Sequence, residues 1–326
     1  AVKTATDVIV RTNSSGAIID SVWQLLSQFV LGAQETVPDL IPQSLAVFGL
    51  VYPEQYLSQI AANTGSSNSV AATAFVTAFR VILSDKTVDA RFDAHVKSAL
   101  PKVLENLGHK DIDIRRLTLL LLYSVAQNKP SQLISLVKGF EPALYKQTEV
   151  DESLIRIITM GPFKKRIDDG LDARRVAFQC VYMLVRNIPD EITPSETAVV
   201  VARGIDDEAD ILGTTRLIVK ELLVLSPSSL LSRLESVAEA VTKLASKKLT
   251  GTALRQEVES LRENVVSSFV IFVSLERLAK KSSSLMAKAM AKDGAYEKLR
   301  AVIANGSDDK IVATYDNANE ILNRSE

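Results

Sequence analysis

The sequence has one cysteine, Cys180, in 326 residues, which rules out an intramolecular disulfide framework or a multi-cysteine zinc site. Two histidines, His95 and His109, are too few for a histidine-rich metal centre. Glycine is scarce: 13 residues, about 4% against a usual ~7%, which disfavours a turn-rich all-β fold and favours long helices. No charge of one sign dominates, since 38 basic residues face 39 acidic ones for a net charge of −1. There is therefore no strong field to draw in nucleic acid or anionic lipid. No apolar run is long enough to span a bilayer, and the longest uncharged stretch, Gln55 to Phe79, is interrupted by Asn63-Thr-Gly-Ser-Ser-Asn68. The opening AVKTATDVIV lacks a secretory h-region and cleavage site. A soluble protein of a reducing compartment, cytosol or nucleus, is expected. The missing initiator Met suggests a processed chain or a piece of something longer. What is abundant is apolar material: 47% hydrophobic residues and a mean hydropathy of +0.13, as wide helix–helix interfaces require.

That material is arranged in repeats. Asp113, Arg115, Arg116, Tyr123, Asn128 and Pro130 recur as Asp172, Arg174, Arg175, Tyr182, Asn187 and Pro189, every pair offset by 59. The interval from Asp to Pro is 17 in both copies, again 17 from Asp210 to Pro227, and 17 from Thr36 to Pro53. A weaker copy without the proline starts at Ser69. In each unit an Asp, Ser or Thr is expected to cap a helix. A nearly all-round apolar segment follows, as in Leu117–Ala126 and Ile218–Leu225, and must be buried on most faces. Proline then ends that helix and opens a more amphipathic one: Ser131–Gly139, Pro194–Gly204 and Ser228–Leu244. Two helices per unit, stacked on neighbours, predict an all-α HEAT-repeat solenoid, an armadillo-like superhelix. The Asp and Arg at each unit start suit ion pairs linking adjacent repeats. The array is expected over 1–250. A C-terminal helical cap and tail is expected over 251–326: one long helix at Thr252–Lys280, short helices at Ser284–Ala291 and Ala295–Ala304, and a polar end that is either a closing helix or frayed.

One step is too long. The interval from 113 to 172 exceeds the repeat period of about 40 by roughly 20 residues, and the surplus lies between Pro142 and Gly170. Leu154-Ile-Arg-Ile-Ile-Thr159 is rich in β-branched residues and favours a strand. Met160-Gly161-Pro162 supplies a turn, Phe163-Lys-Lys-Arg-Ile167 runs back, and Asp168-Asp169-Gly170 ends it. A β-hairpin inserted at about 154–169 is predicted. A hairpin folded onto its own solenoid would only fill a gap. A projecting one would enter a partner's groove with Phe163 as anchor and Lys164, Lys165 and Arg166 at an acidic rim. The candidate partner-binding residues are Ile155, Ile157, Met160, Gly161, Pro162, Phe163, Lys164, Lys165 and Arg166.

Met160 to Leu184, MGPFKKRIDDGLDARRVAFQCVYML, resembles a signature stretch near the C-terminus of the cullin-associated neddylation-dissociated proteins, also called TATA-binding-protein-interacting proteins. The similarity extends to VWQLLSQF, DIDIRRLTLLLLYSVAQNKPSQL and LSPSSLLSRLESV, and loosens after Lys247. The resemblance implies a C-terminal portion of a much longer HEAT-repeat regulator of cullin–RING ubiquitin ligases. It implies binding to the cullin N-terminal domain, with the hairpin in the adaptor and substrate-receptor site, so that receptors are excluded and exchanged. It also implies, as a second partner, a separate N-terminal half of the same regulator, and a cytoplasmic and nuclear location. The tail after Ala291 matches the family poorly and takes no role.

No catalytic residue, metal or cofactor is assigned. Cys180 lies mid-helix as a small hydrophobe. His109 is expected to end a helix. Asp168-Asp169 and Asp206-Asp207-Glu208 read as loop and cap carboxylates, and Gly161 and Gly170 match no phosphate loop. Trp23 is expected in the core. The alternative to a cullin regulator is a general HEAT scaffold associated with transport or transcription.

Overall fold

The structure is a computed structural model describing residues 16–84, 90–160, 163–247, 255–281 and 294–324, without the side chains of 90, 91, 160 and 163–165. It divides into two compact units, Ala1–Glu191 and Ile192–Glu326.

The first unit opens with α1 (Gly16–Gly32), followed by α2 (Leu40–Val51), α3 (Pro53–Asn63), α4 (Ser69–Ser84) and α5 (Ala90–Leu104). Then come α6 (Ile112–Asn128), α7 (Val137–Lys146), the strands β1 (Ile155–Met160) and β2 (Phe163–Asp168), and α8 (Leu171–Asn187). Helices α2, α4, α6 and α8 lie side by side in one layer, each against the next, while α3 and α5 pack together in a second. This two-layer stack of helix pairs is the HEAT/armadillo solenoid, interrupted by one hairpin. It explains the apolar segments: α4, with neighbours on both sides, buries Ala71, Ala72, Ala74, Phe75, Val76, Ala78, Phe79, Ile82 and Leu83. Burying each large apolar side chain contributes about 1.5–3 kcal/mol. The stacked layer also buries polar groups that link successive copies. Asn187 Nδ2 donates to Ala126 O at 2.8 Å, and the Cys180 thiol donates to Leu119 O at 3.2 Å. Among the described residues, α1 is covered on one face. Ile19, Trp23 and Val30 are buried, with Trp23 against Phe48 and Tyr56, whereas Ile18, Leu25 and Phe29 are exposed.

Several local expectations are corrected. The repeated aspartates are not the caps. Asp111 caps α6 by accepting from Asp113 N, and Asp113, Asp172 and Asp210 each sit at the second position of their helices. There their carboxylates favour the helix dipole without replacing the cap. Asn68, not Ser69, caps α4, accepting from Val70 N at 3.0 Å. Thr36 lies outside α2, whose N-cap is Asp39. After Pro130 the chain makes only a 3₁₀ turn (Pro130–Gln132), and the second helix of that unit begins at Val137 instead of Ser131. His109 follows a 3₁₀ turn, not an α-helix, and its Nδ1 accepts from Asp111 N at 3.0 Å.

The second unit contains α9 (Pro194–Gly204), α10 (Ala209–Leu225), α11 (Pro227–Leu231), α12 (Leu234–Ala245), α13 (Arg255–Lys281), α14 (Ala295–Asn305) and α15 (Asp309–Asn323). The expected helix Ser228–Leu244 is thus two, broken at Arg233, whose φ of −109° and ψ of 9° leave the helical region. The long helix α13 and the short α14 fall where the apolar spacing placed them. The start expected at Thr252 and the helix expected at Ser284–Ala291 lie outside the described residues. The polar end is a helix: Asp308 caps α15 through Lys310 N and Ile311 N, and Gly306, at φ 63°, closes α14. Helices α13, α14 and α15 meet around the buried Glu276. It accepts from Arg300 Nε at 2.8 Å, Tyr315 OH at 2.5 Å and Tyr296 OH at 3.4 Å, with Lys280 Nζ at 3.5 Å.

Candidate functional site: the hairpin and its root

β-branched residues favour the pleated chain at Ile155–Thr159, and the strands pair antiparallel from Ile155↔Asp168 to Met160↔Phe163. This register leaves two residues, Gly161 and Pro162, as the connection; both lie outside the described residues. The observed strands match the predicted insert to within one residue at each end. Cross-strand register puts Ile155 and Ile157 on a face with Arg166 and Asp168, and Arg156 and Ile158 on the other with Ile167. Both faces meet solvent: Ile157 is 70% exposed and Ile158 37%. The hairpin is therefore neither another helix nor a flap buried against its own solenoid. Two strands alone are marginal in water, so what holds this pair lies at its root.

The root is ionic. Arg156 grips Asp169 with two bonds, Nε at 2.5 Å and Nη2 at 2.7 Å, and Arg166 pairs with Glu152 at 3.5 Å; all of these except Asp169 are well exposed. Two further pairs join the hairpin to helices. Arg174 of α8, 4% exposed, donates from Nη1 to Asp168 Oδ2 at 2.9 Å, while Asp168 Oδ1 accepts from Gly170 N at 2.9 Å. Arg115 of α6, 14% exposed, places Nη2 3.7 Å from Asp151 Oδ2 and donates from Nη1 to His109 O at 2.9 Å. The Ser153 hydroxyl, more than Arg115, holds the Asp151 carboxyl below its ordinary value, and the Arg156 bond does the same for Asp169. Leu154 packs on Gly170 closely enough that a Cβ there would lie 3.1 Å from Leu154 Cδ1. A cavity of about 420 Å³ opens beside this root, lined by Arg115, Lys146, Asp151, Leu154, Gly170 and Arg174 among others.

The repeated arginines divide between helix and hairpin. Arg116 and Arg175 pair within their own helices, with Asp113 at 3.8 Å and Asp172 at 3.1 Å. Arg115 and Arg174 reach the two ends of the hairpin. The repeat pattern marked all four, but which loop a guanidinium meets depends on the path of the insert. Of the candidate binding residues, Ile155 is half-buried, Ile157 and Arg166 are exposed, and Met160, Phe163, Lys164 and Lys165 are in the strands with side chains outside the description.

Cys180 is fully buried, and burial pushes its thiol pKa far up. Among the described residues no three His, Cys, Asp or Glu side chains come together to hold a metal, and no helix is long and apolar enough to cross a membrane.

A helical-repeat solenoid that projects a β-hairpin from an ionic root is an interaction scaffold in form. Residues 133–298, half of the chain and the whole of the hairpin, match the family TIP120, TATA-binding protein interacting (TIP20), and the chain belongs to that family. It is similar to cullin-associated NEDD8-dissociated protein 2 of Mus musculus, 29% identical over 245 residues, covering 75% of this chain and 20% of that one. It is also similar to cullin-associated NEDD8-dissociated protein 1, C-terminal part, of Emericella nidulans, 28% identical over 242 residues, covering 74% of this chain and 23% of that one. The chain thus spans about a fifth of the length of these relatives. A designed armadillo repeat protein superposes with a TM-score of 0.47 at 12% identity, covering 83% of this chain and all of that one.

Proposed function

We propose that this chain is a non-catalytic regulator of cullin–RING ubiquitin ligases that binds the cullin N-terminal domain. Its hairpin occupies the adaptor and substrate-receptor site, so that bound receptors are displaced and exchanged. The single observation that carries the reading is a hairpin exposed on both faces within an otherwise all-helical solenoid, in a family whose relatives are named cullin-associated. Ile157, exposed in mid-strand, is the apolar contact of this reading and Arg166 opposite it the basic one, with Met160, Phe163, Lys164 and Lys165 as candidates nearer the turn. Two ligands for one groove exclude each other, and this alone suffices for exchange.

The test is competition on an immobilised cullin N-terminal domain. Adaptor and this chain should displace one another, and Phe163→Ala should weaken binding by roughly thirtyfold, about 2 kcal/mol for a central aromatic anchor. Simultaneous binding of both to one cullin would contradict the mechanism. A chain lacking 155–168 that still competes fully would move the site to the solenoid, as in a general scaffold. The same reading carries a cytoplasmic and nuclear location, which imaging of the tagged chain checks. It also carries a second partner, an N-terminal half of the regulator. The surface suited to it is the exposed stripe Ile18, Leu25 and Phe29 on α1, whose helical spacing fits a further pair of stacked helices. Leu25→Glu should abolish that association and leave cullin binding unchanged.

A further inference from the structure

We infer that Arg115 and Arg174 are positioning residues for the hairpin: equivalent residues of two successive repeats that clamp its two ends and so fix where its tip points. Their equivalence is set by the sequence, since they are offset by 59 like the residues around them. Their use is set by the structure. Arg115 meets Asp151, the residue that leads into β1 through a short 3₁₀ turn, and Arg174 meets Asp168, the last residue of β2. A repeat position that elsewhere in a solenoid need only solubilise or join a helix is used here twice on one insert.

The other two ion pairs of the root stay within the hairpin and its flanking residues. Arg156–Asp169 and Arg166–Glu152 tie strand to strand or strand to its own lead-in, so they stiffen the hairpin without aiming it. Leu154 lies against Gly170, and the cavity beside it shows that packing does not fill the root. Both arginines are anchored in the helical layer: Arg174 is buried along its length, and Arg115 is tied by Nη1 to His109 O and Lys110 O. Asp168 is the pivot, because its two oxygens serve Arg174 and the first amide of the α8 turn. Because Arg174 and Asp168 are largely shielded from water, their pairing resists screening, whereas the exposed strand pairs do not.

The consequence for binding rests on the proposed function; the placement of the hairpin does not, and it is measured without any partner. Spin labels on Lys164→Cys and Gln179→Cys in the full chain report the distance from the tip to α8, with the buried Cys180 left in place. The parent should give one narrow distribution. It should stay narrow when ionic strength rises from about 0.1 M to about 1 M, where the Debye length drops from roughly 10 Å to 3 Å. Arg115→Met with Arg174→Met should broaden it. So should Asp168→Asn, which keeps an acceptor for Gly170 N and removes the charge; it carries the test if the double variant fails to melt cooperatively. Cullin N-terminal domain binding should then fall roughly tenfold, as expected if about a tenth of the molecules hold the competent placement. An unchanged distribution in Asp168→Asn overturns the inference, and so does a parent distribution that broadens with salt alone. Altered placement with no cullin binding in the parent refutes the proposed function and leaves the clamp standing. Phe163→Ala should weaken binding with the distribution intact.

Discussion

The hairpin root and the cap that α13, α14 and α15 form over Glu276 both bring charge to a junction of several elements, but they do so in opposite ways. At the root, four acids and four arginines pair off one to one around a cavity, half of them well exposed. In the cap a single carboxylate, Glu276, 1% exposed, gathers Arg300, Lys280, Tyr296 and Tyr315. The root is replaceable pair by pair and holds an element that has no core of its own. The cap is one network on which three helices converge around a carboxylate that is itself almost fully shielded from water. A hairpin open on both faces is thus fastened by pairs at its base, while three converging helices are fastened through one buried carboxylate.

The largest effect should come from the cap. Glu276→Ala removes the carboxylate that Arg300 Nε meets and the acceptor of two partly buried hydroxyls, leaving Arg300 only the Tyr315 hydroxyl among its described partners. Breaking a buried pair from one side costs about 3–5 kcal/mol, and urea denaturation followed by circular dichroism should show a loss of that order in the second unit. A loss under about 1 kcal/mol would mean that water replaces Glu276 readily, and would erase the distinction between cap and root.

A smaller, pH-dependent effect should separate the two sites by sign. Burial, and then the neighbouring Glu276 charge, push the Tyr296 hydroxyl up to about 12; burial also raises Tyr315. A tyrosine whose folded pKa is raised adds stability that is fully present below its ordinary value of 10.0 and is lost as pH climbs from there toward the folded value. At the root, Asp151 and Asp169 are lowered from 3.8, so their contribution is present above 3.8 and is lost as pH falls through the folded values. Alkali should therefore loosen α14 and α15 first, and acid the hairpin first, as amide hydrogen exchange at the two places can show. Loss of protection at both places on the same side of neutrality would contradict the assignment.

The sequence reveals one of these sites better than the other, for physical reasons. The hairpin was legible because β-branched residues, Gly161-Pro162 and the excess length all fell in one gap of a repeat with a fixed offset. The cap network was not. Glu276 sits on the stripe formed by Phe269, Phe272 and Ala279, and a charge on an apolar face signals a buried partner, but periodicity cannot say which distant Tyr or Arg supplies it. Cap positions slipped by two residues because Asp111 and Asp113 are both plausible acceptors, and only the backbone shows which of them lies outside the helix. The arginines stood out in the repeat, but their reach to the hairpin did not, since repeat logic describes an uninterrupted stack and this stack is interrupted between α7 and α8.

The smallest expected effect on stability tests whether the exposed faces of the hairpin belong to folding at all. Ile157 is 70% exposed, directly opposite Arg166, and contributes almost no buried area. Ile157→Thr keeps a β-branched side chain in the strand, so its cost to stability should stay within about 0.5 kcal/mol, as for surface sites generally. If Ile157 faces a partner, the same change should weaken cullin N-terminal domain binding well beyond that margin. A variant that loses stability and binding in equal measure would show that Ile157 supports the hairpin instead of facing a partner. Binding loss with the melting curve unmoved is what an element exposed for another molecule requires.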